Sequence, residues 1–166
     1  MRVAGGRYDG HMSLVLSRFA STSLCSGLTA AETEQLFTLF EVVTFSPGVP
    51  LYREGEKTDA LYVLLEGEVE VSALGEAVAR VGAGETLGEL SLFRGKPTSS
   101  ATVTAERAVI ALKVPREVFR ARLAVRDVTA LTVISNLAHQ MADRLLAVNE
   151  RLINESGKVL PKSRAR

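Results

Sequence analysis

The stretch GELSLFRGKPTSSATV, residues 88–103, has the composition of a loop that holds an anionic ligand. It opens on Gly88-Glu89, passes through a short apolar turn, and ends in hydroxyl-bearing residues that enter a strand: Thr98, Ser99 and Ser100. Backbone amides in such a turn, together with side-chain hydroxyls, donate hydrogen bonds to anionic oxygens. No basic residue follows Pro97 in this stretch. The pattern therefore predicts an anion cradle that lacks its usual cation.

The composition bounds the classes of protein to which the chain can belong. It has 166 residues, 46% hydrophobic and 23% charged, which suits one globular domain with a sizeable core. A net charge of +1 provides no global field for nucleic acid or membrane. No segment approaches the ~20 apolar residues of a membrane span. We expect no membrane association.

The sequence contains no recognisable catalytic or metal-binding constellation. Cys25 is the single cysteine, so an intrachain disulfide is excluded and a reducing, cytoplasmic setting is expected. His11 and His139 are far apart, and no nucleophile–base pair or metal-ligand spacing stands out. The acidic run from Glu66 to Glu70 alternates along a predicted strand, which is typical of a solvated face. We expect no enzyme activity, no metal and no required cofactor.

The elements that would position the loop divide the chain into four segments. Residues 1–22 are weakly patterned and are predicted to be a flexible leader. Residues 23–126 form a β-rich body with flanking helices, and residues 127–156 form one long helix. Residues 157–166 form a basic tail. We expect this tail to be a solvated end, and contact with a phosphate is the less favoured alternative.

Short β-rich runs separated by glycine fill most of the body. A turn is predicted at Ser46-Pro47-Gly48, and ALYVLLEGEVEVSA alternates until Glu66-Gly67 interrupts it. This arrangement favours a sandwich or barrel over repeated βαβ units.

Helix signals precede and follow these strands. Thr29 and Glu32 have the spacing of a capping box, and Pro115 suits the first turn of a helix over REVFRARL. The long helix then carries an apolar seam with alternating spacings of three and four: Leu131, Ile134, Ala138, Met141, Leu145, Val148 and Leu152. The seam spans about three heptads and is expected to end before Gly157. It favours a homodimer through the 131–152 helix, with packing inside the domain as the alternative.

This order of elements resembles the cyclic nucleotide-binding domain family, which includes the catabolite activator protein. The resemblance covers about residues 24–155 and rests on two motifs, YREGEKTDALYVLLEGEVEV (52–71) and GETLGELSLFRGKPTSSATV (84–103). The helix HQMADRLLAVNERLIN is also similar to the activator's dimer helix. The resemblance implies a mainly β fold, a cyclic nucleotide-binding β-roll of double-stranded β-helix or jelly-roll type. It also implies flanking helices and a long C-terminal dimerisation helix.

The resemblance also implies a set of ligand contacts. The segment after Gly88 would form one helical turn facing the cyclic phosphate, and Glu89 would accept a hydrogen bond from the ribose 2′-hydroxyl. The expected ligand-binding residues are Gly88, Glu89, Leu90, Ser91, Thr98, Ser99, Ser100, Arg144 and Asn149.

One family feature is missing, the arginine that contacts the phosphate. Two alignments put its position at Ser99 or at Thr98, and neither residue is basic. Since a charge-assisted hydrogen bond contributes roughly 1.5–3 kcal/mol, its loss weakens binding by about one to two orders of magnitude. Three replacements are open: the hydroxyls, a loop cation (Arg94 or Lys96), or Arg144 from the long helix.

Two functions follow from these features. The first is a noncatalytic sensory module that binds cAMP or cGMP and signals through its C-terminal helix. The alternative is a nucleotide-independent dimeric assembly or protein-interaction module that keeps the fold without the phosphate-binding arginine. Too few residues follow the long helix to form a helix-turn-helix, so no DNA-binding domain is expected.

Overall fold

Helices flank a β-rich body in this computed structural model, which describes residues 8–93 and 98–159. The α-helices of these residues are α1 (Tyr8–Ala20), α2 (Ala30–Phe37), α3 (Leu90–Phe93), α4 (Arg116–Ala124) and α5 (Val128–Val159). A short 3-10 helix, Ser23–Cys25, lies between α1 and α2. The strands are β1 (Glu41–Phe45), β2 (Pro50–Tyr52), β3 (Ala60–Glu66), β4 (Glu68–Ala73), β5 (Glu76–Gly82), β6 (Thr86–Leu87), β7 (Thr102–Ala105) and β8 (Val109–Pro115).

The strands form two four-stranded sheets with antiparallel pairing. One sheet has the order β1-β8-β3-β6 and the other β2-β7-β4-β5. Strands that are close in sequence, such as β3 and β4, therefore lie in different sheets. The predicted fold class, a mainly β roll with flanking helices and a long C-terminal helix, is confirmed.

Strand β3 joins the two hydrophobic cores of the domain. Leu61, Val63 and Leu65 belong to the core shared with the helices. The alternate residues of the strand, including Tyr62 and Leu64, belong to the core inside the roll. Side chains alternate between the faces of a strand, so burial on both faces requires the continuous apolar run ALYVLL. This strand holds the helical layer and the roll together.

The prediction of a flexible leader over residues 1–22 is wrong for the part that the structure describes. Residues 8–20 form α1, and Val15 and Phe19 are buried in the core shared with the helices. The ring of Phe19 lies 5.8 Å from that of Phe37 and 5.2 Å from that of Phe40, measured between centroids. A pair of apolar residues four apart is a weak signal in the sequence, and tertiary packing decides the outcome. Residues 1–7 lie outside the described part.

Two local predictions are confirmed. The Thr29 hydroxyl accepts a hydrogen bond from the Glu32 amide at 3.3 Å, and the Glu32 carboxylate accepts one from the Thr29 amide at 2.8 Å, which completes the capping box. At the predicted turn before β2, the Val49 amide donates to the Ser46 carbonyl at 3.1 Å, with Gly48 at a φ of +80°.

Helix α5 extends further than the sequence indicated. It runs to Val159 and passes through Gly157, so the predicted stop at that glycine is wrong. A glycine inside a helix lowers the stability of the helix by only about 1 kcal/mol relative to alanine. The many turns that precede Gly157 offset this loss. The last tail residues, 160–166, lie outside the described part of the chain.

The side of α5 that packs on the domain differs from the predicted seam. Ala130, Val133 and Leu137 are buried against the body, whereas the seam residues are half-buried or exposed. Polar side chains continue the buried stripe at intervals of four. Asn136 donates to the Leu24 and Ser26 carbonyls, and Gln140 donates to the Ser23 hydroxyl and accepts from Thr86. Helix α5 is therefore attached by a hydrophobic stripe and a polar ladder. Of the seam residues, Ile134 packs against the core, while Leu131, Leu145, Val148 and Leu152 remain exposed in a single chain.

Candidate functional site

A cavity of about 190 Å³ lies between the roll, the turn after β6, and α5. Eight of the nine predicted site residues line it: Gly88, Glu89, Leu90, Ser91, Thr98, Ser99, Ser100 and Arg144. The fold thus brings the two ends of the 88–103 stretch together with a side chain from the distant helix α5.

The turn at Gly88 begins the site and requires glycine. Gly88 has a φ of +79°, and a Cβ atom at this position would lie 2.3 Å from the carbonyl oxygen of Ala60 on β3. The predicted helical turn follows as α3, in which the Ser91 amide donates to the Gly88 carbonyl at 3.0 Å. The close approach to β3 determines where the following carboxylate, Glu89, is placed.

Glu89 is a largely buried carboxylate held by Arg144. Its side chain is 13% exposed, and its Oε1 atom accepts a hydrogen bond from the guanidinium of Arg144 at 3.1 Å. The same guanidinium donates to the Thr86 carbonyl at 2.7 Å and lies 3.5 Å from the carboxylate of Glu85. Burial raises the pKa of Glu89, while its own backbone amide and the charge of Arg144 oppose that rise. The site therefore contains one buried acid whose positive partner belongs to another element.

The hydroxyl segment forms the opposite wall, and its own hydrogen bonds hold it in place. The Ser99 amide donates to the Glu56 carbonyl at 2.9 Å, and the Gly55 amide donates to the Ser99 carbonyl at 3.0 Å. The Ser99 hydroxyl donates to the Ala101 carbonyl at 2.6 Å. A hydroxyl has one hydrogen to donate, so Ser99 in this arrangement offers a ligand only lone pairs. Its role here is to shape the loop.

Of the three basic residues that could replace the missing arginine, the structure describes only Arg144. Arg94 and Lys96 lie outside the described residues. Among the described residues that line the cavity, Arg144 is the basic side chain. Its charge is already shared with Glu89 and Glu85.

Asn149 is not brought to the cavity within one chain. It follows Arg144 by five residues, and an α-helix turns roughly 100° per residue, so its side chain points well away from the Arg144 side. Arg144, Val148 and Arg151 face a second cavity, while Asn149 is exposed. The predicted ligand contact of Asn149 remains a prediction.

That second cavity is larger and adjoins the first. It measures about 670 Å³ and lies between β5 and α5. Ala79, Val81 and Arg144 line both cavities, so the two spaces share a boundary. Small apolar side chains from the strand and the helix cover much of its wall, with Arg80 and Arg151 beside them.

Several residues of the first cavity were not predicted from the sequence. Tyr52 and Thr58 line it, with apolar side chains from β4, β5 and β6: Val71, Val81 and Leu87. Burial raises the pKa of Tyr52, and the negative charge of Glu89 adds to that rise. Tyr52 ends a short strand and Thr58 lies in a loop, so neither occurs in a periodic pattern that marks it as functional.

No group of three or more His, Cys, Asp and Glu side chains in the described residues is arranged to hold a metal ion. No helix in that part of the chain is long and apolar enough to cross a membrane.

Comparison with known proteins identifies the family. Residues 42–126 match the cyclic nucleotide-binding domain, and the chain belongs to this family. The chain is 31% identical over 149 residues to glutaminase 1 of Bradyrhizobium diazoefficiens, a match that covers 89% of this chain and 24% of the glutaminase. The chain thus spans about a quarter of the length of that relative.

Solved structures share the fold. A cyclic nucleotide-binding domain from Methylobacillus flagellatus matches with a TM-score of 0.75 and 24% identity, covering 97% of this chain and 91% of that one. The regulatory subunit of a cAMP-independent protein kinase A from Trypanosoma brucei matches with a TM-score of 0.67 and 27% identity, covering 81% and 47%. The predicted family resemblance is confirmed.

Substituting Gly88 tests the close approach that forms the turn. Gly88→Ala is expected to lower the free energy of unfolding by about 3 kcal/mol or more, because it combines backbone strain with a clash against β3. Gly75→Ala is the matched control: its φ is +82°, but nothing lies within 4 Å of the added Cβ. It should lose roughly 1 kcal/mol in urea unfolding. Equal losses in the two variants would contradict the steric role of Gly88.

Proposed function

We propose that this regulatory domain binds a cyclic nucleotide, cAMP or cGMP, and transmits its occupancy through α5. The hydrogen bond between Arg144 on α5 and Glu89 in the binding turn carries the proposal. It joins the helix directly to the residue expected to contact the ligand. A ligand that occupies Glu89 must therefore change, or share, the contact that holds this part of α5.

The two adjoining cavities suit the two chemically different parts of a nucleotide. The smaller one contains Glu89, the α3 turn and the hydroxyl segment, which match a ribose and a phosphate. The larger one has small apolar walls between β5 and α5, which match a planar base. Ligand pockets typically measure about 300–1,000 Å³, so the smaller cavity requires the adjoining space to hold a nucleotide.

The junction between α4 and α5 is the proposed hinge. Helix α4 ends at Ala124 and α5 begins at Val128. Between them, Arg126 has a φ of +57°, and the Asp127 carboxylate caps α5 by accepting from the Ala130 amide at 2.9 Å. Arg122 on α4 forms an ion pair with the same carboxylate at 3.2 Å. A short link of this kind allows α5 to change its packing without unfolding.

Calorimetric titration tests the sensor function. We expect the wild type to bind cAMP or cGMP, and to bind 2′-deoxy-cAMP more weakly than cAMP, because Glu89 would accept a hydrogen bond from the 2′-hydroxyl. Glu89→Gln should lower affinity for cAMP by about tenfold and reduce the preference for ribose, because a neutral amide oxygen replaces the charged acceptor.

Glu117→Gln provides the control, since Glu117 is an exposed acid on α4 and lies outside both cavities. It should bind like the wild type. No heat from the wild type with either nucleotide would remove the sensor function.

A second candidate function is supported by the hydroxyl segment itself. Thr98, Ser99 and Ser100 carry no positive charge, and the Ser99 hydroxyl is hydrogen-bonded to backbone. The similar structure from Trypanosoma brucei is the regulatory subunit of a cAMP-independent protein kinase A. We therefore propose as the alternative a nucleotide-independent assembly module.

Restoring the missing cation separates the two functions. If nucleotide binding has been lost, the wild type should give no heat and Ser99→Arg should gain measurable cAMP affinity. Ser99→Lys is the control for charge without the bidentate guanidinium and should gain less. A wild type that binds cAMP, with no gain in Ser99→Arg, would contradict the alternative.

We also propose that the domain forms a homodimer through the predicted seam. Leu131, Leu145 and Leu152 are 48%, 61% and 56% exposed, although leucine at such spacing is typical of a helix–helix contact. The buried stripe of α5 lies on different residues, so both surfaces can be used at once. Docking of a second α5 would place a partner beside the larger cavity, because Val148 belongs to the seam and also lines that space.

A single charge should disrupt this dimer. Leu145→Glu is expected to convert the protein to a monomer in sedimentation velocity at micromolar concentration, because it buries an unpaired carboxylate in the seam. The matched control is Leu74→Glu, since Leu74 is 90% exposed in the β4–β5 turn and outside the seam. A wild type that sediments as a monomer would overturn the proposal.

The domain is proposed to act by binding, without catalysis or a required cofactor, in a reducing cytoplasm. The support for this setting is Cys25, a free thiol buried in the core whose pKa is raised to about 11 by burial. Any activity of a larger protein that contains this domain would belong to its other parts.

A further inference from the structure

Two residues that line the smaller cavity have buried hydroxyl groups without a hydrogen-bond partner. The side-chain oxygens of Thr58 and Ser91 are buried, each residue being 6% exposed, and neither is hydrogen-bonded to any part of the chain that the structure describes. Both residues line the cavity. Buried polar groups are nearly always paired, because an unpaired one keeps the full cost of its desolvation. These two oxygens therefore indicate a partner that the described residues do not supply.

The two hydroxyls come from different elements that meet at the Gly88 turn. Ser91 lies in α3, just after the turn, and Thr58 lies in the loop that enters β3. The Thr58 methyl group is 3.7 Å from the position that a Cβ on Gly88 would occupy. Thr58 thus lies beside the Gly88 turn, and Thr58 and Ser91 line the same cavity.

Two other polar side chains of this cavity wall, Ser99 and Arg144, are already engaged. The Ser99 hydroxyl donates to the Ala101 carbonyl, and Arg144 is shared between Glu89, Glu85 and the Thr86 carbonyl. Among the buried hydroxyls of the described residues, those of Thr58 and Ser91 have no hydrogen-bond partner. Hydroxyl donors suit phosphate oxygens, which can only accept.

We propose that Thr58 and Ser91 donate hydrogen bonds to the phosphate oxygens of the bound nucleotide, as neutral replacements for the arginine that the cassette lacks. This inference rests on the proposed nucleotide-binding function and names the side chains that recognise the phosphate. Thr58 lies some forty residues before the hydroxyl segment, so the phosphate site is assembled from two separate parts of the chain.

The experiment measures cAMP and cGMP affinity by calorimetry, and thermal stability without ligand, for four variants. Thr58→Val and Ser91→Ala each remove one unpaired hydroxyl. Thr58→Ser keeps the hydroxyl and removes the methyl. Thr22→Val removes a hydroxyl that is equally buried but donates to the Phe19 carbonyl at 2.7 Å, away from the cavity.

Opposite effects on affinity and stability are expected. Thr58→Val and Ser91→Ala should each weaken binding by about tenfold, because each loses a hydrogen bond to a charged group. Neither should lower the melting temperature of the ligand-free protein, since the lost hydroxyl has no partner there. Thr58→Ser should bind within about threefold of the wild type. Thr22→Val should melt at a lower temperature and bind like the wild type.

The outcomes separate this inference from the function on which it rests. If the wild type binds neither nucleotide, the proposed function fails and the inference fails with it. If the wild type binds but Thr58→Val and Ser91→Ala bind equally well, the hydroxyls hold only water, and the inference alone is overturned. A loss of affinity accompanied by a lower melting temperature without ligand would also overturn it, because the hydroxyls would then be structural.

Discussion

The close contact between the Gly88 turn and β3 is the constraint on which the binding site depends. The turn passes so near the Ala60 carbonyl that a side chain at residue 88 would overlap it. Strand β3 cannot move away, because its two faces contribute to two different cores. The rigid strand therefore positions the turn, and the turn positions Glu89, Ser91 and the wall formed by Thr58.

Electrostatics then link this fixed turn to the helix at the end of the domain. Glu89 is a buried carboxylate, and such a group needs a positive partner or a hydrogen-bonded one to remain charged. Arg144 supplies that partner from α5, on the same side of the helix as Asn136 and Gln140, which bind the body at intervals of four. In the proposed function, a ligand hydroxyl at Glu89 would compete with Arg144, so occupancy of the site and the position of α5 would share a single contact.

The hydroxyl segment shows how a family site changes when its cation is absent. When an arginine is absent from a phosphate site, the site loses a positive charge. The loop that carried the arginine must also be held in its conformation by other contacts. Here the Ser99 hydroxyl and the backbone bonds with Gly55 and Glu56 do that work. The buried hydroxyls without a partner lie elsewhere, on Thr58 and Ser91, which is why we propose these two as donors to an anion.

Short-range rules were sufficient for much of this protein. The capping box at Thr29 and the turn at Gly48 depend on neighbouring residues, and the family motifs located the turn at Gly88 together with Glu89. The sequence also indicated α5 and its apolar seam. Packing decided the rest. Helix α1 forms because Phe19 packs against Phe37 and Phe40, which belong to later segments of the chain.

Packing between distant segments also explains which features of the site could not be predicted from the sequence. The continuation of α5 through Gly157 reflects cooperative helix formation along many turns. Thr58 and Tyr52 reach the cavity through strand pairing, and no local pattern distinguishes them from other polar residues. The sequence by itself indicated the family through its two motifs, and the resemblance then implied the roll and the acidic turn, because the motif residues lie close together along the chain. Only the tertiary structure decided which hydroxyls face the cavity unpaired and which helix residue holds the acid, because those properties arise from contacts between distant segments.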